Sequence, residues 1–148
     1  MSILELMAQN EKLVGDLYRK YSGKFPEYAG LWDQLAHEED VHAKWLINLQ
    51  NKLNQGLISV NNRRFNESAV KMFSEYLNNE IAKLESENVS LIMAFSTSLY
   101  IEESLIEHKY FEVLDSDSQE LKNTLTKLKN ETDKHFRTIK EVWLRYKK

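Results

Sequence analysis

The sequence predicts an all-α fold, a four-helix bundle of two helical hairpins joined by a long crossover that contains a shorter helix. In four segments of the chain, apolar residues recur at alternating spacings of three and four. All four glycines and the single proline lie within the first 56 residues, so residues 57–148 lack the two residues that most disfavour helices. The length of 148 residues fits one domain, and 42% apolar residues is enough for one core.

The first hairpin should contain two long helices with polar residues in the middle of their apolar stripes. Glu11 fills a gap in the first stripe, and Glu39 interrupts the second. We expect the first helix to end near Gly23, because glycine is favoured just past the last helical residue. Pro26 suits the first turn of the second helix.

The crossover begins with a polar, basic stretch and should contain a shorter helix over about 67–84. The third long helix is expected to begin near Asn88, and Glu103 interrupts its apolar stripe. Asp117 and Glu120 have the spacing of a capping box at the start of the fourth long helix. A single domain is thus predicted over 1–148, with the first hairpin at about 2–53, the crossover at about 54–87 and the second hairpin at about 88–146.

The polar interruptions repeat between the two hairpins. Each half has two glutamates 28 residues apart, and a tyrosine follows the first glutamate by seven residues. A histidine follows the second glutamate of each half by three or four residues, so both side chains share one helical face. The repeated positions are Glu11, Tyr18, Glu39 and His42 in the first half and Glu103, Tyr110, Glu131 and His135 in the second.

Four glutamates on the inner faces of a bundle need compensating charge. An unpaired buried ion costs several kcal/mol, and the stripes carry no lysine or arginine at the level of the glutamates. Two divalent cations would balance four carboxylates and leave neutral histidines as nitrogen ligands. Oxygen and nitrogen ligands suit iron or manganese, and the absence of cysteine argues against a structural zinc site. The pattern predicts a two-metal centre.

On these residues the sequence resembles the rubrerythrin branch of the ferritin-like di-iron carboxylate proteins, and the resemblance covers both hairpins. It implies two iron ions, Fe²⁺ or Fe³⁺, per chain; manganese or a mixed pair would use the same ligands. It also implies aromatic partners of the ligands at Tyr18 and Tyr110. The metal ligands implied are Glu11, Glu39, His42, Glu103, Glu131 and His135, with Glu39 and Glu131 as the bridging candidates.

The sequence departs from the rubrerythrin pattern in two ways. These 148 residues contain no cysteine, so they include no cysteine-ligated rubredoxin domain like that of the family, and an external electron donor is expected. Rubrerythrins also have a further glutamate one turn beyond the third-helix ligand, where this chain has Ile106; Glu107 is the nearest alternative ligand. The adjacent acids that fall off the stripes are expected to be solvated: Glu38, Asp40, Glu102 and Glu112.

The resemblance implies an oxidoreductase that reduces hydrogen peroxide or dioxygen. Two alternatives stay open: a ferroxidase or other iron-handling protein, and a non-catalytic metal-binding bundle that acts as an interaction module. A net charge of -3 disfavours nucleic acid and anionic membranes as partners. The sequence also predicts a cytoplasmic protein, because it has no signal-peptide pattern and no apolar run of about 18 residues. Bundles of this family commonly pair, so a homodimer is expected.

Overall fold

The computed structural model describes residues 2–60, 67–107 and 118–147, and it confirms the predicted all-α fold. This part of the chain contains no β-strand. None of its helices has both the length and the apolar character needed to cross a membrane. The α-helices are α1 (Ile3–Lys24), α2 (Ala29–Asn54), α3 (Glu67–Ser86), α4 (Leu91–Glu107) and α5 (Gln119–Lys147).

The first hairpin is formed by α1 and α2, which pack against each other along their length. The Ser2 side chain caps the first turn of α1. Helix α1 ends at Lys24, one residue past the expected Gly23, but Gly23 is not the residue that terminates it: Gly23 is still helical, and the N–H of Phe25 donates to the Tyr21 carbonyl at 2.8 Å. That hydrogen bond closes the last turn without a left-handed glycine. A short 3₁₀ turn, Pro26–Tyr28, then leads into α2.

The crossover helix α3 packs against α1 rather than standing apart from the bundle. The buried side-chain amide of Asn10 donates to the Val70 carbonyl at 3.1 Å, and Ser74 also hydrogen-bonds to Asn10. These bonds fix α3 to the outside of α1 because a buried amide needs partners.

The second hairpin is formed by α4 and α5. Helix α4 begins at Leu91, three residues later than expected. The N-cap of α5 is Ser118, whose hydroxyl oxygen accepts a hydrogen bond from the Leu121 N–H at 3.2 Å. Asp117, the expected capping residue, lies outside the described residues.

An aromatic cluster around Trp32 joins the two hairpins. The Trp32 side chain is fully buried, with its ring 5.3 Å from that of Tyr21 on α1 and 5.2 Å from that of Phe95 on α4. Its indole N–H donates to the Ser98 hydroxyl at 3.2 Å. Since Trp32 precedes Glu39 by seven residues, the cluster lies two turns, about 10 Å, along α2 from the middle of the bundle.

Replacing Trp32 with alanine should lower the free energy of unfolding by about 3–5 kcal/mol, because the change leaves a large cavity between three helices. Urea unfolding followed by circular dichroism measures this. Tyr146→Ala is the control, since Tyr146 borders the same cluster but is 42% exposed; about 1 kcal/mol is expected there. A loss below about 1 kcal/mol for Trp32→Ala would contradict the assigned role.

Candidate metal centre

Five ionisable residues meet in the middle of the bundle, and each is at most 2% exposed. They come from four helices, α1, α2, α4 and α5. Within the described residues, the three carboxylates form ion pairs with the two histidines and with no lysine or arginine. The five residues are Glu11, Glu39, His42, Glu102 and His135.

Glu39 lies close to both histidines. Its Oε1 is 2.9 Å from Nδ1 of His135, and its Oε2 is 3.4 Å from Nδ1 of His42. The centroids of the two imidazole rings are 5.4 Å apart, with 23° between their planes. The two oxygens of one carboxylate therefore face one imidazole each.

Each histidine also has a second carboxylate beside it. Nδ1 of His42 lies 3.7 Å from Oε2 of Glu11, and Nδ1 of His135 lies 3.5 Å from Oε1 of Glu102. Two triads result, and Glu39 belongs to both; the possible ligand atoms of each triad lie within 4.8 Å of one another. This arrangement fits two cations that share one carboxylate.

Several polar atoms of the cluster have no hydrogen-bond partner within the described structure, although each is buried. A buried polar atom left without a partner is costly, so native interiors seldom contain several together. Cations bound to carboxylate oxygens and imidazole nitrogens would satisfy such atoms. The unpartnered atoms are Oε2 of Glu11, Glu39 and Glu102, Nδ1 of His42 and Nε2 of His135.

The expected positions of two adjacent glutamates on α4 are reversed. Glu103, predicted to be a ligand on the buried face, is exposed, whereas Glu102, predicted to be solvated, is fully buried. The strict 28-residue repeat predicts Glu103 on the buried face. In the helix, Glu102 occupies that face, because Glu102 follows the buried Phe95 by seven residues, which is two turns, and the buried Ser98 by four. That spacing is the sequence signal that identifies Glu102.

Tyr18 supports the buried position of Glu102. Its hydroxyl donates a hydrogen bond of 2.8 Å to Oε1 of Glu102, from α1 to α4. Tyr110, the predicted counterpart of Tyr18, lies outside the described residues, and so does the side chain of Glu107. The residue one turn beyond Glu102 is Leu105, which is buried and offers no ligand atom.

The repeat between α2 and α5 also differs from the prediction. His42 follows Glu39 by three residues, and the residue three before His135 is Thr132. The Thr132 side chain is buried, and its hydroxyl donates to the Leu128 carbonyl at 2.8 Å. Thr132 therefore occupies on α5 the position that Glu39 has on α2.

Glu131, predicted to be a second bridging ligand, is only partly buried. One of its carboxylate oxygens nevertheless lies within 4.8 Å of a nitrogen of both His42 and His135. Glu39 is thus the fully buried carboxylate that both triads share, whereas Glu131 lies near the histidines at the partly exposed margin of the cluster.

Burial and mutual contact shift the protonation of the cluster. Burial, together with the charge of Glu39, raises the pKa of Glu11 to about 8. Burial opposes the charged form of both histidines, but the neighbouring carboxylates favour it and raise the pKa of His42 to about 10 and that of His135 to about 11. Burial and the charge of Glu102 act to raise the pKa of Glu39, but its interactions with Glu11, His135 and His42 outweigh them and lower it.

Metal binding at neutral pH should therefore release protons. Below the raised pKa values, the metal-free cluster holds one proton on Glu11 and a second proton on each imidazole. Because metal ions bind the deprotonated groups, affinity should rise with pH, and about three protons should leave on full loading. Calorimetric Zn²⁺ titrations at pH 7 in buffers of different ionisation enthalpy count these protons. A heat that does not depend on the buffer would contradict the predicted protonation.

Substitutions at two adjacent residues test which of them α4 turns toward the cluster. Glu102→Gln should weaken metal binding by more than about 100-fold, since removing the negative charge of a ligand costs more than changing an outer partner. Glu103→Gln removes the same charge one residue away, from an exposed position, and should leave binding unchanged. Equilibrium dialysis with Mn²⁺ measures both variants. If only Glu103→Gln weakens metal binding, then Glu103 rather than Glu102 faces the cluster, and the orientation of α4 described above is wrong.

Comparison with known proteins agrees with the geometry of the cluster. The sequence model of the rubrerythrin family matches residues 3–142. That range begins at the first residue of α1 and ends within α5, so it includes all five buried ionisable residues. No curated protein and no solved structure matches the chain. The family match spans nearly the whole chain, and the protein belongs to the rubrerythrin family.

Proposed function

We propose that this protein is a binuclear non-haem iron oxidoreductase that reduces hydrogen peroxide or dioxygen with electrons from an external donor. The observation that carries the proposal is the position of Glu39, whose two oxygens face His42 and His135 at 3.4 and 2.9 Å. One buried carboxylate between two imidazoles suits a pair of cations better than one. Membership of the rubrerythrin family supports iron as the metal.

The residues divide into two ligand sets around Glu39. Glu11 and His42 would hold one ion, and Glu102 and His135 would hold the other. Iron or manganese suits these oxygen and nitrogen donors, and the sequence offers no thiolate. When bound in the ferrous state, two iron ions supply the two electrons that reduction of a peroxide requires.

The protein environment keeps the centre dry and orders its ligands. Each of the five buried residues is at most 2% exposed, so bulk water is excluded from the cluster. Burial raises the pKa of Tyr18 well above its ordinary value of 10, so its hydroxyl stays protonated at neutral pH. It can therefore go on donating to Glu102 and hold that carboxylate in place.

The electron donor in this proposal is a separate protein or domain. The 148 residues contain no cysteine, so they hold no thiolate-ligated iron relay of their own. A small oxidant is the second partner. The expectations of a homodimer and of a cytoplasmic location stay predictions.

Anaerobic titration with Fe²⁺ tests the metal part of the proposal. The parent protein should bind two ions per chain, and Glu39→Ala should weaken both, because Glu39 belongs to both triads. Glu11→Gln should weaken one, since Glu11 belongs to one triad. The readout is bound iron after gel filtration. Equal iron content in the parent and Glu39→Ala would show that the ligand assignment is wrong.

Turnover of peroxide and oxygen by the iron-loaded protein tests the reaction. With a chemical reductant supplied, the parent should consume hydrogen peroxide or dioxygen catalytically, and the Glu39→Ala variant should not. Accumulation of ferric iron without catalytic consumption would favour the ferroxidase alternative. Stable metal binding without turnover of either oxidant would favour a non-catalytic bundle. Metal analysis of protein from its native source separates iron from manganese.

A further inference from the structure

The imidazole of His135 turns only one of its nitrogens toward the cluster. Nδ1 lies 2.9 Å from Oε1 of Glu39 and 3.5 Å from Oε1 of Glu102. Nε2, on the far side of the ring, is buried and has no hydrogen-bond partner. Oε2 of Glu38 lies 3.5 Å from this nitrogen. The distance is slightly longer than a normal hydrogen bond, and a small movement of the side chain would close it.

The carboxylate of Glu38 stands at the edge of a pocket between α2 and α5. The pocket has a volume of about 320 Å³, and its lining includes both Glu38 and His135. Glu38, expected from the sequence to be solvated, is only 24% exposed in its side chain. Gln34 and Thr138 also line the pocket, but a carboxylate is a stronger hydrogen-bond acceptor than an amide or a hydroxyl.

Metal binding would leave His135 with a donor that needs an acceptor. A histidine that ligates through Nδ1 must give up the proton on that nitrogen and keep the proton on Nε2. Ligand histidines usually donate this second N–H to a carboxylate or carbonyl, which fixes the orientation of the ring. In the described part of the chain, the carboxylate that faces Nε2 of His135 is that of Glu38.

We propose that Glu38 is a positioning residue that accepts a hydrogen bond from Nε2–H of His135 and holds Nδ1 toward the position shared by Glu39 and Glu102. The inference rests on the proposed metal centre and adds a residue outside its ligand set. The internal repeat supports it: the offset of 93 residues that relates His42 to His135 also relates Glu38 to Glu131. Glu131 in turn lies near His42, so each of the two helices brings a marginal glutamate to the histidine of the other.

Three variants test the role of Glu38, with Zn²⁺ as a redox-inert probe. Glu38→Ala removes the acceptor and should weaken one of the two Zn²⁺ binding steps by about 10–100-fold. Glu38→Gln keeps an acceptor oxygen without the charge and should cost only about threefold. Asp40→Ala is the matched control, because Asp40 is two residues along α2 and pairs with Arg19 on the surface; it should bind like the parent.

Nuclear magnetic resonance of the imidazole nitrogens gives a readout that does not depend on activity. In the Zn²⁺-loaded parent, the Nε2 proton of His135 should exchange slowly with water. In Glu38→Ala it should exchange much faster, whereas Glu38→Gln and Asp40→Ala should protect it. Circular dichroism of the metal-free proteins establishes that all variants are folded.

The outcomes separate this inference from the proposed function. If the parent binds two Zn²⁺ ions and Glu38→Ala binds them equally well, the positioning role is wrong and the metal centre stands. If Glu38→Gln is as weak as Glu38→Ala, the charge of Glu38 matters rather than its hydrogen bond, which also overturns the role. If the parent itself binds no metal, the proposed function fails and the inference fails with it.

Discussion

Glu39 places its two carboxylate oxygens between the imidazoles of His42 and His135, in an interior from which water is excluded. Glu11 and Glu102 bring two further buried carboxylates to the same place. The negative charge of the three carboxylates therefore needs compensation. Without metal, protons provide the compensation, and the raised pKa values of Glu11 and of both histidines record it. Metal ions and protons thus compete for the same buried groups, and this competition couples folding, pH and metal binding.

The rest of the bundle can be understood as the support for that cluster. Four helices each bring at least one buried polar residue to the same level, and the Trp32 cluster fixes the hairpins two turns away. The hydrogen bond from Tyr18 to Glu102 joins α1 to α4 directly at the centre. The crossover helix α3 packs on the outside of α1 and contributes none of the five buried residues. Rigid, well-packed helices are a suitable support for ligands, because ligand geometry must be held to a fraction of an ångström.

Apolar periodicity and the absence of glycine and proline after residue 56 were sufficient to predict the helices, the crossover and the buried positions of Glu11, Glu39, His42 and His135. The position on α4 could not be settled by the repeat, because the halves are related by slightly different offsets: 91 residues from Glu11 to Glu102, and 93 from His42 to His135. A shift of one residue turns a side chain by about 100° around a helix, enough to exchange Glu102 for Glu103. The role of Glu38 was not predictable, because Glu38 and His135 lie on different helices and are 97 residues apart in sequence.

The central claim is that two metal ions bind in the interior and share Glu39. Anomalous diffraction at the iron edge, on crystals loaded anaerobically with Fe²⁺, tests it most directly. The account predicts two peaks about 3.5–4 Å apart, one beside Glu11 and His42 and one beside Glu102 and His135, with Glu39 touching both. A single peak, or peaks only at surface carboxylates with none in the cluster, would contradict it.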